Sequence, residues 1–352
     1  MKTFDYVRPA SVSDAVAAAT QPGAAFLAAG TNLLDLMKGG VTRPNRLVDI
    51  TRLPGLDAIE PMPDGGLRIG ALVRNADLAH DAEFARSFPA VAEALLSGAS
   101  AQLRNAATVG GNLLQRTRCA YFYDTASACN KREPGSGCDA RFGENRLHAV
   151  LGWSEACIAT HPSDFAVPLV ALNATVEIEG KTGRREVALE EFYRLPGDAP
   201  ERESVLEPGD LIVAVRLPGE ARGFATHARY LKVRERTPYA FAVVSAAAAL
   251  RIEAGTIREA RLALGGVAAK PWRARPAEKL LEGRVPDAAG FRRAAEAALA
   301  DAKPSGDNQF KIELAQRVLV RALTLAAAGT PKRIPALPAS PFSSPAGALH
   351  DA

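Results

Sequence analysis

The spacing of apolar and polar positions changes character along the chain. Residues 12–19 (VSDAVAAA) follow a serine and read as a short helix, and 24–28 (AAFLA) read as a small-residue strand. A loop begins at Ala29, a helix is expected over 32–38, and strands are expected over 46–50 and 67–71, separated by a Pro- and Gly-rich stretch at 61–66. Residues 77–82 and 89–97 read as helices. They lead into a long, cysteine-bearing irregular region at 118–160 that exceeds an ordinary connection. From residue 174 the pattern becomes the Val/Ile/Thr alternation of strands (TVEIEG, REVAL), then LIVAVRLP over 211–218, where Pro218 closes a strand. After Gly223, FATHARYLKVR, FAVVSAAAALRIEAG and 258–264 predict an antiparallel sheet. Phe310, Leu314, Val318, Ala322 and Leu325 then recur at steps of three and four and mark one apolar helix face over about 309–328. The tail at 331–352 is Pro- and Ser-rich and is expected to extend over a neighbour.

Length and composition narrow the class. The chain has 352 residues, 47% hydrophobic and 23% charged, which fits a core-forming protein of two or three domains. A net charge of +4 from mixed signs does not by itself argue for nucleic acid and leaves an anionic ligand open. The longest nearly pure apolar run, 240–250, is well short of the roughly 20 residues a membrane span needs. Asp5, Arg8 and Asp14 stand where a signal peptide would place its apolar region. The protein is therefore expected in the cytoplasm, or in the periplasm by co-export with a signal-bearing partner.

Two glycine loops are candidate anion sites. Phe26, Leu27, Ala28, Ala29, Gly30, Thr31, Asn32 and Leu33 end a strand with small residues and enter a helix, so successive amides there can form an anion nest. The second loop, ATVGGNL, places Thr108 before Gly110 and Gly111 and Asn112 after them. Neither loop has the Rossmann or Walker pattern, and each alone is equally an ordinary tight turn. They inform as a pair.

All four cysteines, Cys119, Cys129, Cys138 and Cys157, fall in the irregular region, with nine, eight and eighteen residues between them. The close pairs of zinc ribbons and the C-x₂-C-x₂-C run of ferredoxins are both absent. Four thiolates suit a structural zinc or a [4Fe-4S] cluster, whereas two disulfides are disfavoured in a reducing cytosol, and four unrelated thiols are the plain alternative. Arg116, Arg118, Lys131 and Arg132 are candidates to offset thiolate charge, or simply a solvated face, and His161 is a fifth ligand or a loop histidine.

GTNLLDL near 30, TVGGNL near 110, HPSDFAVPLVAL at 161–172, EPGDLIVAVRLP at 207–218 and YLKVRERTPYAFAVVSAAAAL at 230–250 together resemble the FAD-binding subunit of the xanthine dehydrogenase and aldehyde oxidase family of molybdenum hydroxylases. The order and spacing match over most of 1–330. The run from NLLQRTRC to GSGC is similar to a branch whose FAD subunit carries a [4Fe-4S] cluster, most of all the bacterial aldehyde oxidoreductase medium subunit.

This resemblance implies an α+β fold, with a two-part FAD-binding domain at 1–220 holding the Cys-rich insertion at 118–160, and a smaller α/β C-terminal domain at 221–330. It implies that both glycine loops wrap the FAD pyrophosphate with backbone amides, although Ala29 stands where relatives carry a first glycine. It gives Asp164 a role at the flavin polyol, with helix N-cap as the plain alternative, and puts Lys232 near the isoalloxazine. Ile212 it sets beside the ring, against a strand-core role. Cys119, Cys129, Cys138 and Cys157 would ligate the cluster. The implied partners are a small subunit with two [2Fe-2S] clusters and a large molybdopterin-cofactor subunit. The expected function is electron transfer through FAD to an external acceptor; the alternatives are a stand-alone flavin oxidoreductase and a non-redox, zinc-stabilised assembly module.

Overall fold

The computed structural model describes residues 1–236 and 239–332. Most of the tail expectation, 333–352, lies outside the described residues.

Three sheets organise the described residues. The first holds β1 (Asp5–Val7), β2 (Ala24–Leu27) and β3 (Arg46–Asp49), all parallel in the order β1-β3-β2. Parallel neighbours need crossovers, and the helices Val12–Ala19 and Leu33–Lys38 supply them. The first begins where Ser11 Oγ accepts the Asp14 amide at 3.1 Å, and it buries Ala15, Val16 and Ala19 against Val48 and Ile50. β2 is an edge strand, and its carboxyl end runs into the first glycine loop. Loops at such ends are where parallel sheets bind ligands.

The second sheet is antiparallel, in the order β4-β5-β8-β6-β7: β4 (Ile59–Pro61), β5 (Leu67–Gly70), β6 (Thr175–Gly180), β7 (Gly183–Ala188) and β8 (Leu211–Leu217). Its central strand β8 is buried on both faces, which explains the unbroken apolar run LIVAVRL, whereas the edge strand β7 alternates with period two. Short helices between β5 and β6, among them Pro89–Ser97, bring Phe84, Phe88 and Phe165 into the largest core, and Phe192 joins them from the helix Leu189–Phe192 after β7.

The third sheet, β9 (Ala228–Val233), β10 (Val244–Glu253), β11 (Thr256–Gly265) and β12 (Trp272–Arg273), is antiparallel in the order β12-β11-β10-β9. A two-residue turn with positive φ at Ala254 and Gly255 joins β10 to β11. The helices Arg275–Leu281, Ala288–Ala298 and Phe310–Ala327 complete this half around a second core. The antiparallel sheet was expected, as was the general mixture of helix and strand.

Two expectations need correction. The strand read into FATHARYLKVR starts only at Ala228, because 219–227 turn as 3-10 helix after Pro218. The final helix buries Lys311, Ala315, Val318, Leu319, Ala322, Leu323 and Ala326, while Phe310 is 40% exposed. The buried face is thus rotated from the predicted one, because Lys311 points inward to bind carbonyls.

The region at 118–160 is ordered mainly by hydrogen bonds. One helical turn (Ala120–Tyr123) and one 3-10 turn (Asp139–Arg141) are its only helical segments. Arg132 donates to the carbonyls of Tyr121, Phe122 and Ser127. Towards the C-terminal half, Arg141 reaches Ser305 O at 2.9 Å, and Val150 and Leu151 both donate to Val267 O. These bonds tie the region to itself and to the C-terminal half.

Candidate functional site

The carboxyl end of β2, the second glycine loop and β9 converge on one open cleft. Thr31, Asn32, Asn75, Gly111, Asn112, Asp164 and Lys232 are among the residues that line it. Gly30 does not line the cleft but shapes it. Its φ of +74° is the left-handed conformation that glycine adopts freely, and a Cβ there would meet Leu34 Cγ at 2.8 Å. Phe26, Leu27, Ala28 and Ala29 are half-buried on the strand and turn behind it, and Leu33 opens the following helix.

The second loop is the start of a five-residue helix, Val109–Leu113, rather than a bare Gly-Gly turn. Thr108 Oγ1 accepts the Gly111 amide at 3.3 Å. The amides of Val109 and Gly110 are already engaged by Val73 O and Ala71 O, so they are not free for an anion. Gly110 is needed for close approach: a Cβ would lie 3.0 Å from Ala71 Cβ and 3.2 Å from its carbonyl. Gly111 is the residue that faces the cleft, and a Cβ there would meet only Thr108 Oγ1, at 3.1 Å.

Asp164 does not cap a helix with its side chain. Ser163 Oγ accepts the Ala166 amide instead, at 3.2 Å, and donates to Asn112 Oδ1 at 2.7 Å, tying this segment to the second loop. The Asp164 carboxylate accepts from Tyr230 OH at 2.5 Å and from Lys232 Nζ at 2.7 Å. Lys232 also donates to Ser97 O at 3.1 Å. Asp164 and Lys232 thus form a buried ion pair on the cleft wall. Ile212 is not brought to the cleft: it is 2% exposed in β8, paired with Ile178 in the main core.

The four cysteines are all free thiols, and their side chains line one small cavity with Phe122, Ala140 and Lys131. Cys129 and Cys138 face each other across an isolated antiparallel bridge. Among the described residues, no three His, Cys, Asp or Glu side chains form a group that could hold a metal ion. Burial pushes the Cys119 thiol up to about 12 and raises Cys138 and Cys157 as well. Of the basic residues singled out in the sequence, only Lys131 lines this cavity; its ammonium pairs with Glu203 at 3.0 Å. Arg132 staples the loop, Arg116 pairs with Glu203, and Arg118 lines the first cleft. His161 does not line the thiol cavity. Burial pushes its ring down to about 3, and its Nε2 has no partner.

Residues 2–220 match the family described as FAD binding domain in molybdopterin dehydrogenase, and 229–326 match the CO dehydrogenase flavoprotein C-terminal domain. The chain belongs to the FAD-binding medium subunits of the xanthine dehydrogenase and CO dehydrogenase family. It is 51% identical over 332 residues to the aldehyde oxidoreductase FAD-binding subunit PaoB of Escherichia coli (strain K12), covering 93% of this chain and 99% of that one. It is 28% identical to the carbon monoxide dehydrogenase medium chain of Hydrogenophaga pseudoflava, covering 92% and 96%. Among solved structures, carbon monoxide dehydrogenase from the same organism superposes with a TM-score of 0.73 at 28% identity, covering 93% and 98% of the chains. Quinoline 2-oxidoreductase from Pseudomonas putida 86 gives 0.71 at 26%, covering 93% and 99%.

The cleft of this FAD-binding subunit fits a large polar cofactor. Two of its wall residues have a buried side-chain atom without a partner, Asn32 Nδ2 (a donor) and Asn75 Oδ1 (an acceptor). Buried polar atoms of this kind ask for a partner from outside the chain. Asn75 carried no sequence signal, and Tyr230, which opens the motif at 230–250, was given no role there, since each role depends on contacts across the fold.

Proposed function

We propose that the chain is the electron-transfer subunit of a molybdenum hydroxylase that oxidises aldehydes, carrying FAD in the cleft and a [4Fe-4S] cluster on Cys119, Cys129, Cys138 and Cys157. The partners are a small [2Fe-2S] subunit and a large molybdopterin subunit, and the electrons leave to an external acceptor. FAD supplies the redox chemistry, accepting electrons singly or in pairs. Asn32, Asn75, Gly111 and Asn112 hold the cofactor, while Asp164 and Lys232 set the charge of the wall. The flavin domain ends near residue 220, and the complex works in the cytoplasm or, by co-export, in the periplasm.

One observation carries the reading. All four thiols line one cavity, and a single peptide separates that cavity from the cleft, since Arg118 lines the cleft and Cys119 the cavity. A zinc tetrathiolate with Zn–S bonds near 2.3 Å would draw the sulfurs to about 3.8 Å from one another. The thiols share one cavity, as either a zinc ion or a cluster would require, and iron and sulfide content separate the two. Buried thiols of raised pKa release their protons when a metal binds.

The test is the complex co-purified anaerobically with its partners. Flavin absorbance together with iron and acid-labile sulfide is expected. Replacing any one of the four cysteines with Ser is expected to lose iron and to make 119–138 protease-sensitive, while 139–160 stays held by the C-terminal half. Stoichiometric zinc without iron, or normal iron in all four variants, refutes the cluster.

A further inference from the structure

We propose that His148 is a positioning residue for the metal centre, its Nε2–H donating to the Cys119 sulfur and thereby raising the centre's reduction potential. This rests on the cluster reading above. His148 Nε2 lies 3.2 Å from Cys119 Sγ, the sulfur that follows directly on the cleft residue Arg118. The ring's other nitrogen, Nδ1, is buried and has no partner. Sulfur is therefore the ring's one polar contact among the described residues, and a proton on Nε2 is the arrangement that makes a bond there. A thiolate ligand carries negative charge that grows when the centre is reduced. An N–H aimed at it stabilises the reduced state more than the oxidised one.

The ring is held from a distance. His148 N donates to Asn145 O at 2.9 Å, and His148 O accepts from Lys311 Nζ at 2.8 Å and from Asn308 Nδ2 at 3.1 Å. Lys311 also binds Leu147 O at 2.8 Å and Gly266 O at 2.7 Å. Both Lys311 and Asn308 are 0% exposed. Burying an ammonium is costly unless it is fully paired, and here its three protons meet three carbonyls. One of these carbonyls belongs to the sulfur's donor and another to the residue before it. The C-terminal half thus fixes the backbone that aims the imidazole, although it contributes no thiol.

The test compares His148→Phe, which keeps a ring but no donor, with His148→Gln, which restores an N–H, in the complex co-expressed with its partners. Iron, sulfide and FAD content are measured first, followed by a redox titration monitored by electron paramagnetic resonance. Wild-type iron with a lower midpoint potential in His148→Phe, moved back towards wild type in His148→Gln, is expected. Exchange into D2O should reveal a deuteron coupled to the cluster that His148→Phe lacks. Full iron with an unchanged or higher potential in His148→Phe overturns the inference and leaves the cluster standing. Absence of iron from the wild-type complex overturns the cluster itself. Should only His148→Phe lose iron, His148→Gln is compared with His148→Leu. A higher potential in the donor-bearing variant supports the inference, and equal potentials overturn it. Loss of iron from all three overturns tuning in favour of a purely structural role.

Discussion

Lys232→Met isolates the charge on the cleft wall. The Lys232–Asp164 pair is 2.7 Å long, with side chains 3% and 8% exposed, so water cannot replace the lost partner. Removing one member of a buried pair costs about 3–5 kcal/mol, because the other charge is left uncompensated. Methionine keeps much of the lysine stem's bulk, and Tyr230 OH still donates to Asp164 at 2.5 Å, so the cost should lie near the lower end. Asp164→Asn leaves the opposite charge with Ser97 O as a partner. The double variant removes both charges. Its destabilisation should therefore fall short of the sum of the singles by about 2 kcal/mol, within the range of contacting residues. The assay is urea unfolding of the FAD-loaded protein for all four members of the cycle, with flavin midpoint potentials measured alongside. Lys232→Met leaves the Asp164 charge unpaired on the wall and should lower the potential. Asp164→Asn should raise it, and the double variant should return towards wild type. Additive energies together with an unchanged potential in Lys232→Met would refute the reasoning.

The two adjacent glycines should separate in function. Gly111→Val is expected to fold but to retain less FAD, because its φ is unstrained and the new methyls project into the cleft; full flavin occupancy would remove that face from the site. Gly110→Val should instead lose stability, read as a lower melting temperature, because its Cβ presses on Ala71. At Asp49, burial works to raise the carboxyl, but hydrogen bonds from Thr51, Tyr6 and Arg8 outweigh it and hold it at about 2. A depressed carboxyl stabilises the fold above its unfolded value of about 4 and loses that contribution as pH falls towards 2, on the order of 2 kcal/mol in all. The gap in unfolding free energy between wild type and Asp49→Asn should accordingly close across that interval; a gap independent of pH would contradict it.

Local pattern determined much of this protein. The helices Val12–Ala19 and Pro89–Ser97 stand where capping and apolar spacing put them, and the strands at 211–217 and 256–265 follow their apolar runs closely, because each is favoured by residues near in sequence. The resemblance carried by the two glycine loops, Asp164, Lys232 and the cysteine window named the family before any contact was known. What the sequence could not hold was the set of contacts made across more than 60 residues. Asp164 meets Tyr230, His148 meets Lys311, and Asn75 is left with an unpaired oxygen in the cleft wall. The same is true of which glycine faces the cofactor. Gly110 and Gly111 are equivalent as letters, and only the packing of β5's end against one of them leaves the other open. In the sequence His161 is a fifth ligand or a loop histidine; it does not line the thiol cavity, and His148 is the histidine beside Cys119. Side-chain direction in an irregular segment has no period to read. It is set by the hydrogen bonds that anchor the backbone, and for His148 those come from residues about 160 positions downstream.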